Sequence, residues 1–440
     1  MNTQLVRVST GITFAAVLLA AGSAHAIPAF ARKTGMSCSA CHEAWPRLNE
    51  FGQQFRDNGY RLRHGRDAPP EQPSAYWPIA FRTTVGYQWL RQTLQQTDSG
   101  TATTQTGTFG FTGLDIHSAG TLADRVSYFI TYTPALRSAG FTLSPNEGDL
   151  ESAWAGLHEL LGTTWLNLRV GKHALDLPED EHRSITLTQG YNEYHFHPAG
   201  SAATFEPGNN QVGIEVFGHD DLSRLRYSFS FVNANGAPLS NNLVSSPALW
   251  GHVQGTRHFD NDILPAVKVG AFGALGWHPV ATQQLTAGGV ATPVVGSASS
   301  EAQFRRLGGE VHLYLLSNIY PLTLTGVVTY GSDDQALIQG GTSDASFFAG
   351  WGELSYTPTV NVVLIGRYER IGSKTQGVAN NPRDLGNLTV FTGGVRYTLE
   401  MSNRTEVALH GELSSASRVV DASGNLPNAL TGLMAIDFVF

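Results

Sequence analysis

Cysteine is almost missing from this 440-residue chain: there are two, Cys38 and Cys41. With no second pair, a structural zinc site lacks the four ligands it needs. Charge is scarce too. Asp, Glu, Lys and Arg make up 15 % of residues, low for a soluble protein of this size. The formal charge of −8 leaves no basic footprint for a nucleic acid, and that class of partner is excluded. Methionine is limited, beyond the initiator, to Met36, Met401 and Met434. Past the first 26 residues no run reaches the ~18 uninterrupted apolar residues of a spanning helix, so any crossing of a membrane must be made by strands.

What is present begins with an export signal. Arg7 supplies a positive start, "GITFAAVLLAAG" (Gly11 to Gly22) an apolar core, and "AHA" (Ala24 to Ala26) a small-x-small cleavage site. The apolar run is too short for a permanent anchor, so residues 1–26 are read as a cleaved signal and the mature chain starts at Ile27. The length suits two or three ordinary domains or one large β-barrel.

Both cysteines fall in "TGMSCSACHEAWPRLNEFGQQF", Thr34 to Phe55. C-x-x-C-H is the pattern in which two cysteine sulfurs form thioethers with the haem vinyl groups and the next histidine ligates the iron. The two-residue gap lets both sulfurs reach one porphyrin edge. A CxxC redox disulfide would expect a thioredoxin-like βαβ unit, and none is legible here. Cys38, Cys41 and His42 are therefore read as the attachment site and proximal ligand of one covalent haem c. After it, Pro46 suits the first turn of a helix, Leu48, Phe51 and Phe55 share one apolar face, and Gly59 offers a stop. That face is expected either to lie on the porphyrin, with Phe30 and Trp45 nearby, or to pack as ordinary core. For the sixth ligand, Met36 sits too close to the motif to cross the ring, and Met434 is expected to face lipid. His64 is the only histidine of the module after the motif. It is the candidate distal ligand, with an uninvolved His64, water or a ligand from the rest of the chain as alternatives.

The module, residues 27–75, is too small to enclose a porphyrin alone. "DAPPEQPSAYWP" (Asp67 to Pro78) links it to the rest. From Ile79 the chain turns to segments of 9–13 residues with period-2 alternation between turn residues, the length and pattern of transmembrane strands. "PLTLTGVVTYG" sets Leu322, Leu324, Val328 and Tyr330 against Thr323, Thr325 and Thr329. "TEVALHGEL" sets Val407, Leu409 and Leu413 against Glu406, His410 and Glu412. A soluble sandwich also alternates, but with shorter strands. The final "LMAIDFVF" is an amphipathic strand ending in an aromatic. The fold expected is all-β: a transmembrane antiparallel β-barrel of about 16 strands over residues 76–440, with the small α-helical haem module as its plug. About 15 strands are clear, and the even number of such barrels places one more in 172–210 or 240–262. The inward charges expected are mixed: Arg82, Arg306, Glu310, His312, Glu353, Arg367, Glu369, Arg396, Glu406, His410 and Glu412. They could pair and hold a plug or merely wet a pore. The stretch Gly171 to Asn209 carries His173, Asp176, Glu179, Asp180, Glu181, His182, His195 and His197. It reads either as a metal-capture loop or as a loop that narrows the pore.

Taken together, "AIPAFARKTGMSCSACHEAWPRLNEFGQQFRDNGYRL", the Pro-rich link and a barrel ending in Phe resemble the fused cytochrome–porin family. These are outer-membrane monohaem c-type cytochromes of the iron-oxidase type. The specific part of the resemblance is Phe30 through Tyr60; the barrel matches as a type. The resemblance implies a haem within or at the mouth of the pore. It would take electrons from extracellular Fe(II) and pass them to a periplasmic c-type cytochrome, with Cys38, Cys41 and His42 carrying over as its haem residues. Outer-membrane lipid is the other partner expected. A passive porin with a haem-bearing plug, or a conduit for another donor or acceptor, is the alternative.

Overall fold

The computed structural model describes residues 29–34, 36, 38–44, 47–62, 78–96, 100–134, 149–187, 190–196, 198, 205–233, 247–279, 283–287, 290–294, 301–316, 322–338, 343–359, 361–374, 387–401, 405–419 and 428–439. The expected signal segment, Trp45, Pro46, His64, His197 and Phe440 lie outside them.

Alternation of apolar and polar side chains forms strands with one face for each solvent, and here sixteen of them close on themselves. In chain order they are β1 (Ile79–Gln96), β2 (Gly100–Ala123), β3 (Val126–Thr133), β4 (Asp149–Leu157), β5 (Asn167–His173), β6 (Gln211–His219), β7 (Leu225–Asn233) and β8 (Pro247–His258). There follow β9 (Ala266–Pro279), β10 (Glu301–Leu315), β11 (Leu322–Asp333), β12 (Ala345–Thr359), β13 (Val362–Lys374), β14 (Asn387–Met401), β15 (Glu406–Val419) and β16 (Asn428–Val439). Every neighbour is antiparallel, and β16 returns to β1 with Val439 opposite Arg82 and Asn428 opposite Thr93. Closure leaves no sheet edge, as a bilayer requires. Of the two stretches expected to hide a further strand, 240–262 contains β8, and the described residues of 174–210 add none to the barrel.

The outside of the barrel is apolar. Val328 (66 % exposed), Phe348 (68 %), Met434 (75 %), Phe391, Leu413, Leu307 and Phe229 all project outward. An apolar band of this extent on a closed sheet is a surface for lipid, and Met434 is on it as expected. The inside is polar. Arg306, Glu310, His312, Glu353, Arg367, Glu369, Arg396, Glu406, His410 and Glu412 are all buried within the lumen, and the expected mixture of signs is resolved into pairs. Arg396 Nη1 lies 2.8 Å from Asp437 Oδ2 and its Nη2 2.8 Å from Glu406 Oε1, while Arg306 Nη1 lies 2.6 Å from Asp333.

The two ends differ. Between β2 and β3, β6 and β7, and β12 and β13 the turns hold two to five residues; at the other end β5 and β6 are joined by residues 174–210. Short turns mark the periplasmic mouth of such barrels and long loops the outer one. The connection 174–210 folds inward as a strap: Leu175, Leu177, Tyr191, Tyr194 and Phe205 are buried against Trp250, Phe272, Phe304 and Trp351 of the wall. Wall carboxylates accept from its backbone, Glu412 from Leu187 N–H (2.7 Å) and Glu369 from Asn192 N–H (2.8 Å). The described part of this stretch occupies the lumen and narrows it. Its acidic and histidine side chains are engaged: Asp176 with Arg226 and His252, Glu179 with Arg47, and His195 with both Glu181 and Glu206. No group of three metal-ligating side chains is assembled among the described residues.

One strap carboxyl sets a pH dependence. Burial, then the like charge of Glu369, pushes Glu193 up to about 8 from 4.5. Glu193 is thus neutral when docked while the opened strap's carboxyl has ionised, so docking weakens as pH rises from 4.5 to about 8. Hydrogen-exchange protection at 190–196, corrected for intrinsic rates, is expected to be higher at about pH 5 than at about pH 9. Glu193→Gln should flatten this dependence.

Candidate functional site

Among its described residues the N-terminal module has three short helices, α1 (Ala29–Thr34), α2 (Cys38–Cys41) and α3 (Glu50–Asp57), with a two-stranded turn pairing His42–Ala44 with Arg47–Leu48. The helix expected to begin at Pro46 begins instead at Glu50. Asn49 is its N-cap, its side chain accepting from Gly52 N–H at 2.9 Å, which satisfies one of the open donors of a helix start. Leu48 therefore precedes the helix and belongs to the turn. The same Asn49 fastens the motif: its backbone N–H donates to the Cys41 carbonyl (3.0 Å) and its amide to the Ala40 carbonyl (3.0 Å). Gly52 lies so close under the motif that a Cβ there would collide with the Cys41 carbonyl. Gly59 ends α3 as expected. At φ +69° it donates to the Arg56 carbonyl while Tyr60 N–H returns to Phe55, a Schellman closure that satisfies the last carbonyls.

The module sits in the barrel at its short-turn end. Arg61 reaches Glu159 at 3.0 Å and the Asp124 carbonyl at 2.8 Å. Gln54 donates to the Asp221 carbonyl, and Asp57 pairs with Arg226 at 2.8 Å. Farther in, Arg47 is clamped by Glu353, which Arg367 also faces at 3.5 Å. All three side chains are buried, so removing one weakens the compensation of the others.

Between module and wall lies a cavity of about 490 Å³, in the range of sites that bury a sizeable organic ligand. Cys41 and His42 line it, together with Met36, Leu48, Phe51 and Phe55 from the module. Strands β1 to β5 contribute Arg82, His117, Phe129, Glu151, Trp154 and Arg169; the strap contributes Asp180, His182 and Arg183. Aromatic rings run across it: Phe30 stacks on Tyr60 at 4.6 Å, Tyr60 on Trp154 at 6.2 Å, and Trp154 on Phe129 at 5.9 Å. Phe30 meets Phe55 edge-on at 5.1 Å, so the expected neighbourhood of Phe30 and the α3 face is observed. Phe55 is core, while Phe51 faces the cavity more openly.

The donor set suits a haem. Cys41 is a free thiol whose pKa burial pushes up. Leu48, Phe51 and the aromatic wall match an apolar macrocycle. At the cavity wall Arg56 faces Asp176 and Asp180 at 3.6 Å each, and Arg169 pairs with Glu215 while lying over the Trp154 ring at 4.6 Å. Arg183, lowered to about 10 by burial and then by Arg56, adds a third cation. His182 is a residue that sequence reasoning did not single out from its neighbours in the strap. Burial pulls its pKa down, but the hydrogen bond and charge of Glu151 outweigh this and hold it up at about 9. Pattern alone could not select it, because the pairing spans 31 positions of sequence.

Comparison by sequence finds no matching protein family and no matching characterised protein. Comparison of folds does. An anion-selective porin from Comamonas acidovorans is similar with a TM-score of 0.52 and 10 % identity, over 82 % of this chain and 99 % of that one. OmpF of Salmonella typhi, in a complex with daunomycin, is similar at 0.49 with 13 % identity, over 82 % and 97 %. The chain thus has a porin-like sixteen-stranded barrel fold.

Proposed function

We propose that this protein conducts electrons across an outer membrane through one covalently bound haem c housed in the barrel. In this reading extracellular Fe(II) is the donor and a periplasmic c-type cytochrome the acceptor. The observation that carries it is the position of Cys41 and His42 on an aromatic-lined cavity inside a closed barrel. The resemblance of Phe30 to Tyr60 to the fused cytochrome–porin family supports the same choice. A bilayer core of ~30 Å blocks ions and is too thick for efficient one-step tunnelling.

When bound, haem c supplies a one-electron couple tuned by its axial ligands and by burial. The chain's residues do the rest. Cys38 and Cys41 offer the two thiols, and His42 offers the proximal imidazole. Phe30, Phe55 and Trp154 exclude water on one side; Arg56 and Arg169 place positive charge at the cavity wall. Contacts of Arg61, Gln54 and Asp57 with the short-turn end bring the module within reach of a soluble periplasmic carrier.

A solute channel with a structural plug is the second reading, favoured by the porin-like fold. The two separate in one pair of measurements. Purified protein mixed anaerobically with Fe(II) is expected to develop reduced-haem absorption bands within the mixing experiment, while planar-bilayer conductance stays far below that of an open porin. High conductance with an unchanged spectrum would select the channel instead.

A further inference from the structure

We propose that His182 occupies the sixth coordination position of the haem iron, opposite His42. This assignment rests on the functional reading above. His182 lines the same cavity as Cys41 and His42 but comes from the strap rather than the module. Its place is fixed twice: Asp180 accepts from its backbone N–H at 3.1 Å at the start of the turn Glu181–Arg183, and its Nδ1 lies 3.0 Å from Glu151 Oε1. Glu151 thereby leaves Nε2 as the nitrogen available for a metal. A carboxylate behind the imidazole is the arrangement that orients metal-bound histidines and raises their basicity. The side chain is 35 % accessible although it lies within the lumen, and the space it opens to is the cavity. Coordination would release the Nε2 proton to solvent and involves no electron transfer.

The other described candidates are spent or turned away. His195 has both ring nitrogens on carboxylates, at 2.5 Å from Glu181 and 2.9 Å from Glu206. His158 Nε2 is held by Ser127 at 2.6 Å. His117 also lines the cavity, but Thr131 engages its Nδ1 at 3.0 Å and its Nε2 is sealed within the wall. Met36 lies two residues before Cys38, on the motif's own side.

The test uses the full exported protein, with haem attachment confirmed by intact mass and folding by the heat-dependent gel shift of the barrel. Electron paramagnetic resonance and near-infrared magnetic circular dichroism of the oxidised protein should report low-spin iron with two imidazoles. His182→Ala should turn this high-spin and admit added imidazole, which restores the low-spin signal. His182→Met should give the imidazole–thioether signature with a raised midpoint potential. His195→Ala should leave the spin state unchanged. A His182→Ala protein that carries haem and stays low-spin overturns the assignment, as does loss of the low-spin signal in His117→Ala or His64→Ala but not in His182→Ala. Absence of haem from the wild-type protein would instead defeat the functional reading itself.

Discussion

Replacing Cys38 and Cys41 together with serine is expected to give an exported, folded barrel with no covalent haem and no oxidation of Fe(II). The expectation separates two parts of the molecule that are built differently. The barrel is held by a continuous ring of strand pairs from β1 to β16, and neither cysteine belongs to it. The motif instead rests on α3, through Asn49 and the close approach of Gly52. Serine supplies no thiolate, so neither sulfur bond can form. The same protein should keep its heat-dependent gel shift and lose its haem stain and reduced-haem bands. Oxidation of Fe(II) at the wild-type rate by the serine variant would show that the electrons take another route.

The second large effect concerns how the module is retained. Glu353→Ala removes the nearest carboxylate of Arg47, leaving it Glu179 at 3.8 Å, and one of the two carboxylates that face Arg367, leaving Glu369 at 3.0 Å. Removing one member of a buried ion pair costs on the order of 3–5 kcal/mol when the charge is left unpaired; with Glu179 and Glu369 still in place the low end is expected, a factor of about 10² in docking. Protease cleavage within 29–62 should accelerate accordingly, while the barrel's own melting moves little. Replacing Arg47 and Glu353 together by methionine removes the Arg47 charge along with its partner, while Arg367 keeps Glu369, and most of the loss in module docking should be recovered. If the single and double variants cleave alike, packing rather than this pair retains the module.

Much of the barrel was legible because its two faces meet two solvents. Thr325 and Thr329 point inward and Leu324 and Val328 outward, as alternation requires. Where the lumen is not water, the signal fades. In β8 the inward side chains include Ala248 and Trp250, which meet Leu175 and Leu177 of the strap, so an apolar inner face masks the period. The strap is illegible for the same reason. Its conformation is set by Glu369, Glu412 and Trp250, far away in sequence, rather than by local pattern. Spacing alone singles out Cys41 and His42 as candidates, and both line the cavity. The walls around them were not legible, since Trp154, Arg169 and His182 reach one cavity only when the sheet closes. Asn49 shows the local version of this limit: a capping residue three positions past Pro46 sets where the helix starts.

The most direct test places the protein in sealed vesicles that enclose an oxidised c-type cytochrome and a ferrous chelator, with Fe(II) added anaerobically outside. A conduit through the barrel predicts reduction of the enclosed cytochrome while the chelator stays colourless, and no reduction when His42 is replaced by alanine. A coloured chelator, or a cytochrome that stays oxidised with the wild-type protein, would contradict it.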